Sequence, residues 1–164
     1  MGISALTIHA RTRSQMYKGH SDWSYIAKVK NNPRIHIPIF GNGDIDSPEK
    51  ALEYRNKYGI DGIMIGRAAI GYPWIFNEIK HYFATGELLP SPTIADRVEA
   101  AKNHLLWSIE WKGERQGVVE MRRHYANYFK GIPNFKEHRH KLVTLDASQE
   151  VVKALDNVLE VLGR

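Results

Sequence analysis

The sequence predicts an α/β fold followed by an all-α part: the last three strand–helix units of a (β/α)8 TIM barrel, then a C-terminal helical bundle. Two observations support this. In the first half, three short apolar, β-prone runs alternate with helical patterns, which is typical of a parallel sheet. In the second half no strand pattern appears, and apolar residues recur at helical spacing. The predicted domains are 1–86 and 87–164.

The first predicted strand covers residues 4–9, and the polar, glycine-containing segment after it is typical of a loop. Ser21 and Asp22 can cap the next helix, which residues 31–33 (Asn-Asn-Pro) end. A second strand is predicted at residues 36–40. Strand, loop, helix and strand in this order are consistent with a parallel pairing of the two strands.

Clear signals bound the second helix: Ser47 is its N-cap, Pro48 takes the first helical position, and Gly59 ends it. The third strand is predicted at residues 61–65, and the helix after it ends near Gly86. The strand pattern alone fits either a Rossmann-like layer or a piece of a barrel.

The second half begins after the proline-containing segment 85–93, which resembles a linker. Asp146 and Ser148 are capping candidates for the last helix. Three apolar stripes at helical spacing predict a small bundle: Val98, Ala101, Leu105 and Ile109; Val118, Met121, Tyr125 and Phe129; Val151, Leu155, Val158 and Leu162.

Composition excludes several classes of protein. The chain has 164 residues, 43% of them hydrophobic, which is enough to bury a core. No run approaches the roughly 18 apolar residues that a membrane span needs, and no leader pattern opens the chain, so a cytoplasmic protein without a membrane partner is expected. The absence of cysteine excludes disulfides, thiolate metal sites and a cysteine acid within the chain. A net charge of +5 favours a polyanionic partner, although many basic proteins bind none.

Glycine-containing turns follow the second and third strands, at Gly41–Asp44 and Gly66–Ala68. Glycines let the backbone approach a ligand, exposed N–H groups favour an anion, and Arg67 can bind phosphate through its guanidinium. Barrel enzymes commonly bind phosphate in the loops after their last two strands, so these strands are interpreted as six, seven and eight. The alternative is a simple tight turn and a surface arginine.

The first strand ends in the segment 9–13 (His-Ala-Arg-Thr-Arg), on the same rim of the sheet as both turns. A flavin or an anionic substrate would use a histidine and two cations in this place. The alternative is a histidine bonded to a neighbouring carbonyl and two solvated arginines.

Four segments, at residues 6–23, 37–45, 60–76 and 120–133, resemble the tRNA-dihydrouridine synthases in the same order and at similar spacing. The HARTR, GNGD and GRA signatures, together with the later MRRHYANYFKG helix, make the resemblance specific. It covers essentially the whole chain. It implies an enzyme that uses FMN and NADPH to reduce a uridine of tRNA.

The resemblance also implies roles for individual residues. His9 would lie beside the isoalloxazine ring, and Arg11 and Arg13 would face the substrate. The residues expected to hold the ribityl phosphate are Asn42, Gly43, Asp44, Gly66 and Arg67. No residue of this chain is expected to be catalytic, because the family's proton donor is a cysteine on an earlier barrel loop.

With no cysteine and three of the eight strands of a barrel, the chain alone is expected to be inactive. Unpaired sheet edges and an apolar interior face would favour self-association, domain swapping or dependence on the missing N-terminal half of the barrel. The sequence is interpreted as a truncated form that starts inside the barrel.

The helix containing Arg123, Asn127 and Lys130 at positions i, i+4 and i+7 has one polar, basic face, which fits the phosphates of a folded RNA. The alternative is a solvated helix face. A metal is not expected at His124, His138 and His140, because convincing ligand spacing is absent. Trp107 and Trp111 are interpreted as helix packing rather than base-stacking platforms. The residues expected to bind RNA are Arg11, Arg13, Arg122, Arg123, Lys130, Lys136 and Arg139, with Lys141 nearby.

Two other functions remain open. The chain could be a non-catalytic tRNA-binding module with the partial barrel as a scaffold. It could also belong to another class of FMN- or phosphate-binding barrel oxidoreductase.

Overall fold

The computed structural model describes residues 2–163, which form two compact units. The first unit comprises Met1–Ala69 with Trp74–Leu89, and the second comprises Ile70–Pro73 with Pro90–Arg164. The short segment Ile70–Pro73 therefore belongs with the helical unit, although the chain on both sides of it belongs to the first.

The first unit contains a three-stranded parallel sheet in the order β1-β2-β3, so the α/β prediction is confirmed. Its elements are β1 (Leu6–His9), α1 (Ser24–Lys30), β2 (Ile39–Asn42), α2 (Pro48–Tyr58), β3 (Gly62–Met64), a 3-10 turn (Arg67–Ala69) and α3 (Ile75–Thr85). Three parallel strands joined through helices are compatible with part of a barrel.

The predicted position of β2 was wrong by several residues. The strand occupies Ile39–Asn42 rather than 36–40, so Gly41 and Asn42 pair in the sheet instead of turning away from it. Gly41 lies opposite Ile8 on β1, and Asn42 lies opposite His9. The glycine escaped prediction as a strand residue because glycine is depleted in strands, but here it leaves room for a neighbouring side chain.

That neighbour is Trp23, which is fully buried against the sheet. A Cβ at Gly41 would come within 2.0 Å of the Trp23 ring, so no larger residue fits at position 41. The indole Nε1 donates to the carbonyl of Gly43 at 3.1 Å. Tyr54 and Tyr58 of α2 complete an aromatic cluster around the tryptophan, with ring centroids 4.9 and 5.6 Å away.

The signals for α2 and α3 are confirmed. The Ser47 hydroxyl accepts from the Lys50 amide at 3.2 Å, and Pro48 opens the helix. Gly59 ends α2 and Gly86 ends α3, both in the left-handed conformation that glycine adopts without strain.

The sheet has one face packed on the helices and one open face. The open face carries alternate residues of each strand: Thr7, His9, Phe40, Asn42 and Met64. Three of these five side chains are polar. The face is therefore mixed, whereas an apolar face was expected. The polar residues lie toward the carboxyl ends of β1 and β2, where the candidate site is built.

The second unit contains four helices over its described residues, one more than the apolar stripes predicted. They are α4 (Ile94–Lys112), α5 (Glu114–Tyr128), α6 (Lys136–Thr144) and α7 (Ser148–Leu162). The additional helix α6 buries only Leu142 of its own residues, so it shows no apolar stripe in the sequence. Thr93 and Asp96 form a capping box at the start of α4.

The predicted stripes form the core of this bundle. Val98, Ala101 and Leu105 of α4 are buried, and Ile109 is half-buried against Gly117 of α5. The buried residues of the other two stripes are Val118, Met121, Tyr125, Phe129, Val151, Leu155 and Val158. Within the described range, no helix combines the length and apolarity that a bilayer crossing requires.

Candidate functional site

The carboxyl ends of the three strands bring His9 and Asn42 together on the open face of the sheet. Asn42 Nδ2 donates to the Met64 carbonyl of β3 at 2.6 Å, which leaves its Oδ1 to accept from His9 Nδ1 at 2.5 Å. Because Nδ1 then carries the proton, a neutral His9 has Nε2 as a free acceptor. The side chain of Asn42 fixes the orientation of His9, and its contact with a phosphate stays a prediction.

Arg11 and Asp44, which follow β1 and β2, form a bidentate ion pair. Arg11 Nη1 and Nη2 donate to the two carboxylate oxygens of Asp44 at 2.8 and 2.6 Å, and Nη2 also donates to the Gly19 carbonyl at 2.6 Å. The Arg11 side chain is only 4% exposed. The expectation that Arg11 faces the substrate is therefore corrected, because its guanidinium is buried and committed to Asp44. Arg13, two residues further on, is exposed.

Asp44 accepts two further hydrogen bonds, from the Ser21 amide at 2.9 Å and from Arg67 Nη2 at 2.8 Å. Burial by itself would raise the pKa of Asp44, but the hydrogen bonds from Arg11 and Ser21 and the attraction of Arg11 outweigh it and hold the pKa well below its ordinary value. Asp44 is thus ionised at neutral pH. An anion in this position would repel a phosphate in direct contact, so its place is to hold the arginines.

Arg67 is a further exposed cation at the rim. Only its Nη2 is bonded to Asp44, and 56% of its side chain is exposed. The centre of the Tyr17 ring lies 4.7 Å from the Arg67 guanidinium, so a cation–π contact supports the side chain in addition to Asp44. Gly66, the preceding residue, is exposed, and a Cβ there would meet nothing within 4 Å. Gly66 and Arg67 together offer an open backbone and a held cation.

The Gly43–Asp44 turn has a different environment. Gly43 is buried with φ 138°, and a Cβ there would lie 3.0 Å from the Cβ of Ser21 and 3.2 Å from that of Ala10. Asp44 itself has φ 54°, a left-handed conformation that aspartate tolerates better than most residues. The side chains of Ser21 and Ala10 therefore fill the space beside the Gly43–Asp44 turn. Of the two glycine turns, the one at Gly66 has room for a ligand.

Sequence reasoning missed Tyr17 and Ser21, which hold Arg67 and Asp44. Both lie in the loop after β1, where polar composition gives no indication of which side chains turn inward.

In the second unit, the expected RNA-binding cations fall into two groups. Arg122 is largely covered, since its Nη2 donates to the Leu145 carbonyl at 3.0 Å and to Asp146 at 2.6 Å. It joins α5 to the segment between α6 and α7, and its contact with RNA stays a prediction. The others are exposed: Arg123, Lys130, Lys136, Arg139 and Lys141.

The interpretation of Trp107 and Trp111 as packing residues was wrong. Their side chains are 66% and 83% exposed, one helical turn apart on α4. The buried stripe of that helix lies on its other side, at Val98, Ala101 and Leu105. Helical periodicity agrees with this placement, because two residues rotate a helix by about 200° and Trp107 therefore falls opposite Leu105.

A family model described as Dihydrouridine synthase (Dus) matches residues 1–162. The chain belongs to the dihydrouridine synthase family. "Probable tRNA-dihydrouridine synthase 1" of Synechocystis sp. is 40% identical over 158 residues, covering 96% of this chain and 44% of the relative. "tRNA-dihydrouridine synthase B" of Xanthomonas campestris is 44% identical over 138 residues, covering 84% of this chain and 41% of the relative. "Probable tRNA-dihydrouridine synthase" of Rickettsia conorii is 41% identical over 138 residues, with the same two shares of coverage.

The chain therefore spans less than half the length of the curated relatives it matches.

Proposed function

We propose that the chain is the C-terminal portion of an FMN-dependent tRNA-dihydrouridine synthase, which reduces uridine to 5,6-dihydrouridine in tRNA with NADPH as reductant. The observation that carries the proposal is the exposed Gly66–Arg67 turn, which follows β3 at the same edge of the parallel sheet where His9 ends β1. Ligands of parallel α/β sheets bind at this edge. With tRNA as substrate, the place of action is the cytoplasm.

The residues present fit the phosphate of FMN at one of the two turns. Gly66 leaves space where a side chain would stand, and Arg67 is oriented from two sides by Asp44 and Tyr17. A guanidinium held in place loses less freedom on binding phosphate than a free one. Gly66 and Arg67 would hold the phosphate directly, and Gly43 and Asp44 would contribute by shaping the loop and holding the arginine.

When bound, the reduced flavin supplies the hydride. His9 would lie on the same open face, with Nδ1 held by Asn42 and Nε2 free to accept a hydrogen bond. Its role is to orient a ring system on the sheet. The exposed Arg13 is a cation of the loop after β1 that can meet the phosphates of tRNA.

We further propose that the 164-residue chain does not reduce uridine by itself. It contains no cysteine to act as the acid that protonates the uracil ring, and its described residues form three strands rather than a closed barrel. The remaining strands would come from a segment equivalent to the rest of the relatives' length.

The phosphate site is tested by titrating the purified chain with FMN and with riboflavin, which lacks the phosphate, while flavin fluorescence is followed. An Arg67→Ala variant should bind FMN about tenfold more weakly, the loss of one charge-assisted contact, and should bind riboflavin as the wild type does. Arg13→Ala is the matched control and should leave both affinities unchanged. Equal FMN binding by Arg67→Ala and wild type would reject the site.

The exposed cations Arg123, Lys130, Lys136 and Arg139 favour a second candidate, a tRNA-binding module without flavin chemistry. The two proposals differ in one measurement: binding of tRNA by a chain that takes up no FMN supports the module and contradicts the flavin site.

A further inference from the structure

Two exposed tryptophans form an aromatic surface on the α4–α5 hairpin of the second unit. Trp107 and Trp111 stand one turn apart on the solvent side of α4, where large apolar side chains are costly to expose. Within the described residues their side chains are not covered by the bundle core. Exposed aromatic rings in a row are the structural feature on which unpaired nucleobases stack.

Cations border the rings. Lys112 Nζ lies 5.1 Å from the centre of the Trp111 ring, and Lys112 is also bonded to Glu120 of α5. Arg123, one turn further along α5, is 69% exposed, with its Nη2 3.7 Å from Glu120. Lys112 and Arg123 both pair with Glu120, so the cations outnumber the carboxylate among these three side chains.

A cavity of about 190 Å³ lies between these groups. Trp107, Trp111, Lys112 and Arg123 line it, together with His104 and His124. The volume is below the roughly 300–1,000 Å³ of pockets that enclose a drug-sized ligand. It therefore suits one ring with its phosphate outside rather than a whole flavin or dinucleotide.

The two histidines at the floor of the cavity are close together, with ring centroids 4.9 Å apart. His104 Nδ1 contacts the Tyr128 hydroxyl at 3.1 Å, and His124 Nε2 accepts from Arg123 Nε at 3.2 Å. Burial, followed by the neighbouring charges, lowers the pKa of both imidazoles. They are neutral at pH 7, so they offer hydrogen bonds to a base without adding charge.

We propose that this surface binds an unpaired nucleotide of RNA, with its base stacked on Trp107 and Trp111 and its phosphate on Arg123 and Lys112. The proposal rests on the proposed function, since tRNA is the RNA on which such an enzyme acts, and it assigns the contact to specific residues. The flanking cations favour a polyanion over a second copy of this chain, which has a net charge of +5.

The test measures binding of the full chain to an unmodified tRNA transcript, a single-stranded oligouridine and an RNA duplex by fluorescence anisotropy. Trp107→Ala and Trp111→Ala should each weaken binding to tRNA and oligouridine about tenfold, the usual effect of removing one stacking ring, and should leave duplex binding unchanged. Trp111→Phe should recover part of the affinity. Leu106→Ala, an exposed apolar residue on the same helix, is the matched control and should bind as wild type does.

Three results would overturn the inference. Wild-type affinity in both alanine variants, with wild-type chain still binding tRNA, would reject this surface and leave the proposed function intact. Failure of the wild-type chain to bind any of the three RNAs would reject both. If the alanine variants sediment more slowly than wild type but bind RNA equally well, the tryptophans join copies of the chain instead. Circular dichroism of each variant checks that the helices are retained.

Discussion

At the scale of single residues, Asp44 connects the loops that follow all three strands. It accepts from Arg11 and Ser21 in the loop after β1 and from Arg67 after β3, while it lies itself after β2. A carboxylate with this many donors stabilises only when ionised. The geometry of the candidate phosphate site therefore depends on a residue that need not contact the phosphate.

Replacement of Asp44 should reveal this dependence as a function of pH. Asp44→Asn should lower the free energy of unfolding at pH 7 by about 1.5–3 kcal/mol, the range for hydrogen bonds to a charged group. Because the folded-state pKa of Asp44 lies below the unfolded value of about 3.9, its contribution is complete above that value and is lost as pH falls. Urea unfolding at pH 7 and pH 3 should therefore show the gap between wild type and variant narrowing at pH 3.

Asp46→Asn is the control for this comparison, because Asp46 is exposed and bonded only to Lys50 one turn away. It should change stability little at either pH. A gap between wild type and Asp44→Asn that widened on acidification would contradict the assignment of Asp44 as the ionised centre of the three loops.

At the scale of elements, the α4–α5 hairpin depends on a close approach of the two helices at Gly117. This residue is buried, and a Cβ there would lie 2.7 and 2.8 Å from the backbone N and Cα of Ile109. The Ser108 hydroxyl is directed at the Gly117 carbonyl, at 3.4 Å. Glycine normally weakens a helix interior, so its presence here reflects packing rather than helix propensity.

Gly117→Ala should therefore destabilise the chain, although the same change in an exposed helix would stabilise it. The added methyl group meets backbone atoms that cannot rotate away, and overpacking of this kind costs about 1–3 kcal/mol. Thermal unfolding followed at 222 nm would give the shift in Tm. Arg115→Ala, an exposed position two residues earlier, should leave Tm nearly unchanged; a higher Tm for Gly117→Ala would refute the close contact.

The elements that the sequence could predict are those whose signals are local. Ser47, Pro48 and Gly59 bound α2 through capping chemistry that depends on a few neighbouring residues. The end of β2 and the burial of Arg11 depend on Trp23 and Asp44, which come from elsewhere in the chain, so no local pattern could reveal them. For the same reason Arg67 could be predicted as a cation at the rim, but its contacts with Asp44 and Tyr17 could not.

At the scale of the whole molecule, the sheet has two edges without a paired strand over the described residues, at β1 and β3. The open face adds the exposed side chains of Met64 and His9. Unpaired edges are templates for another strand, either from a second copy or from the remainder of a barrel.

Self-association of the chain should therefore depend on concentration and on this face. In sedimentation velocity, we expect species larger than the 18.8 kDa monomer at high concentration. Met64→Lys should shift the distribution toward monomer, because a charge beside the β3 edge opposes strand pairing. Leu106→Lys, on α4, is the control. A wild-type chain that stays monomeric at every concentration would contradict this expectation.

The segment Ile70–Pro73 limits how this protein can be divided. Gly71, with φ 69°, packs against α5 so closely that a Cβ would lie 2.7 Å from the Tyr128 amide nitrogen, and the Arg97 guanidinium lies 5.9 Å from the Tyr72 ring. A single cut in the linker near Pro90 would separate the helices from this part of their own core. The helical unit therefore cannot be transferred by one junction, and grafting it onto another protein requires further junctions on each side of residues 70–73.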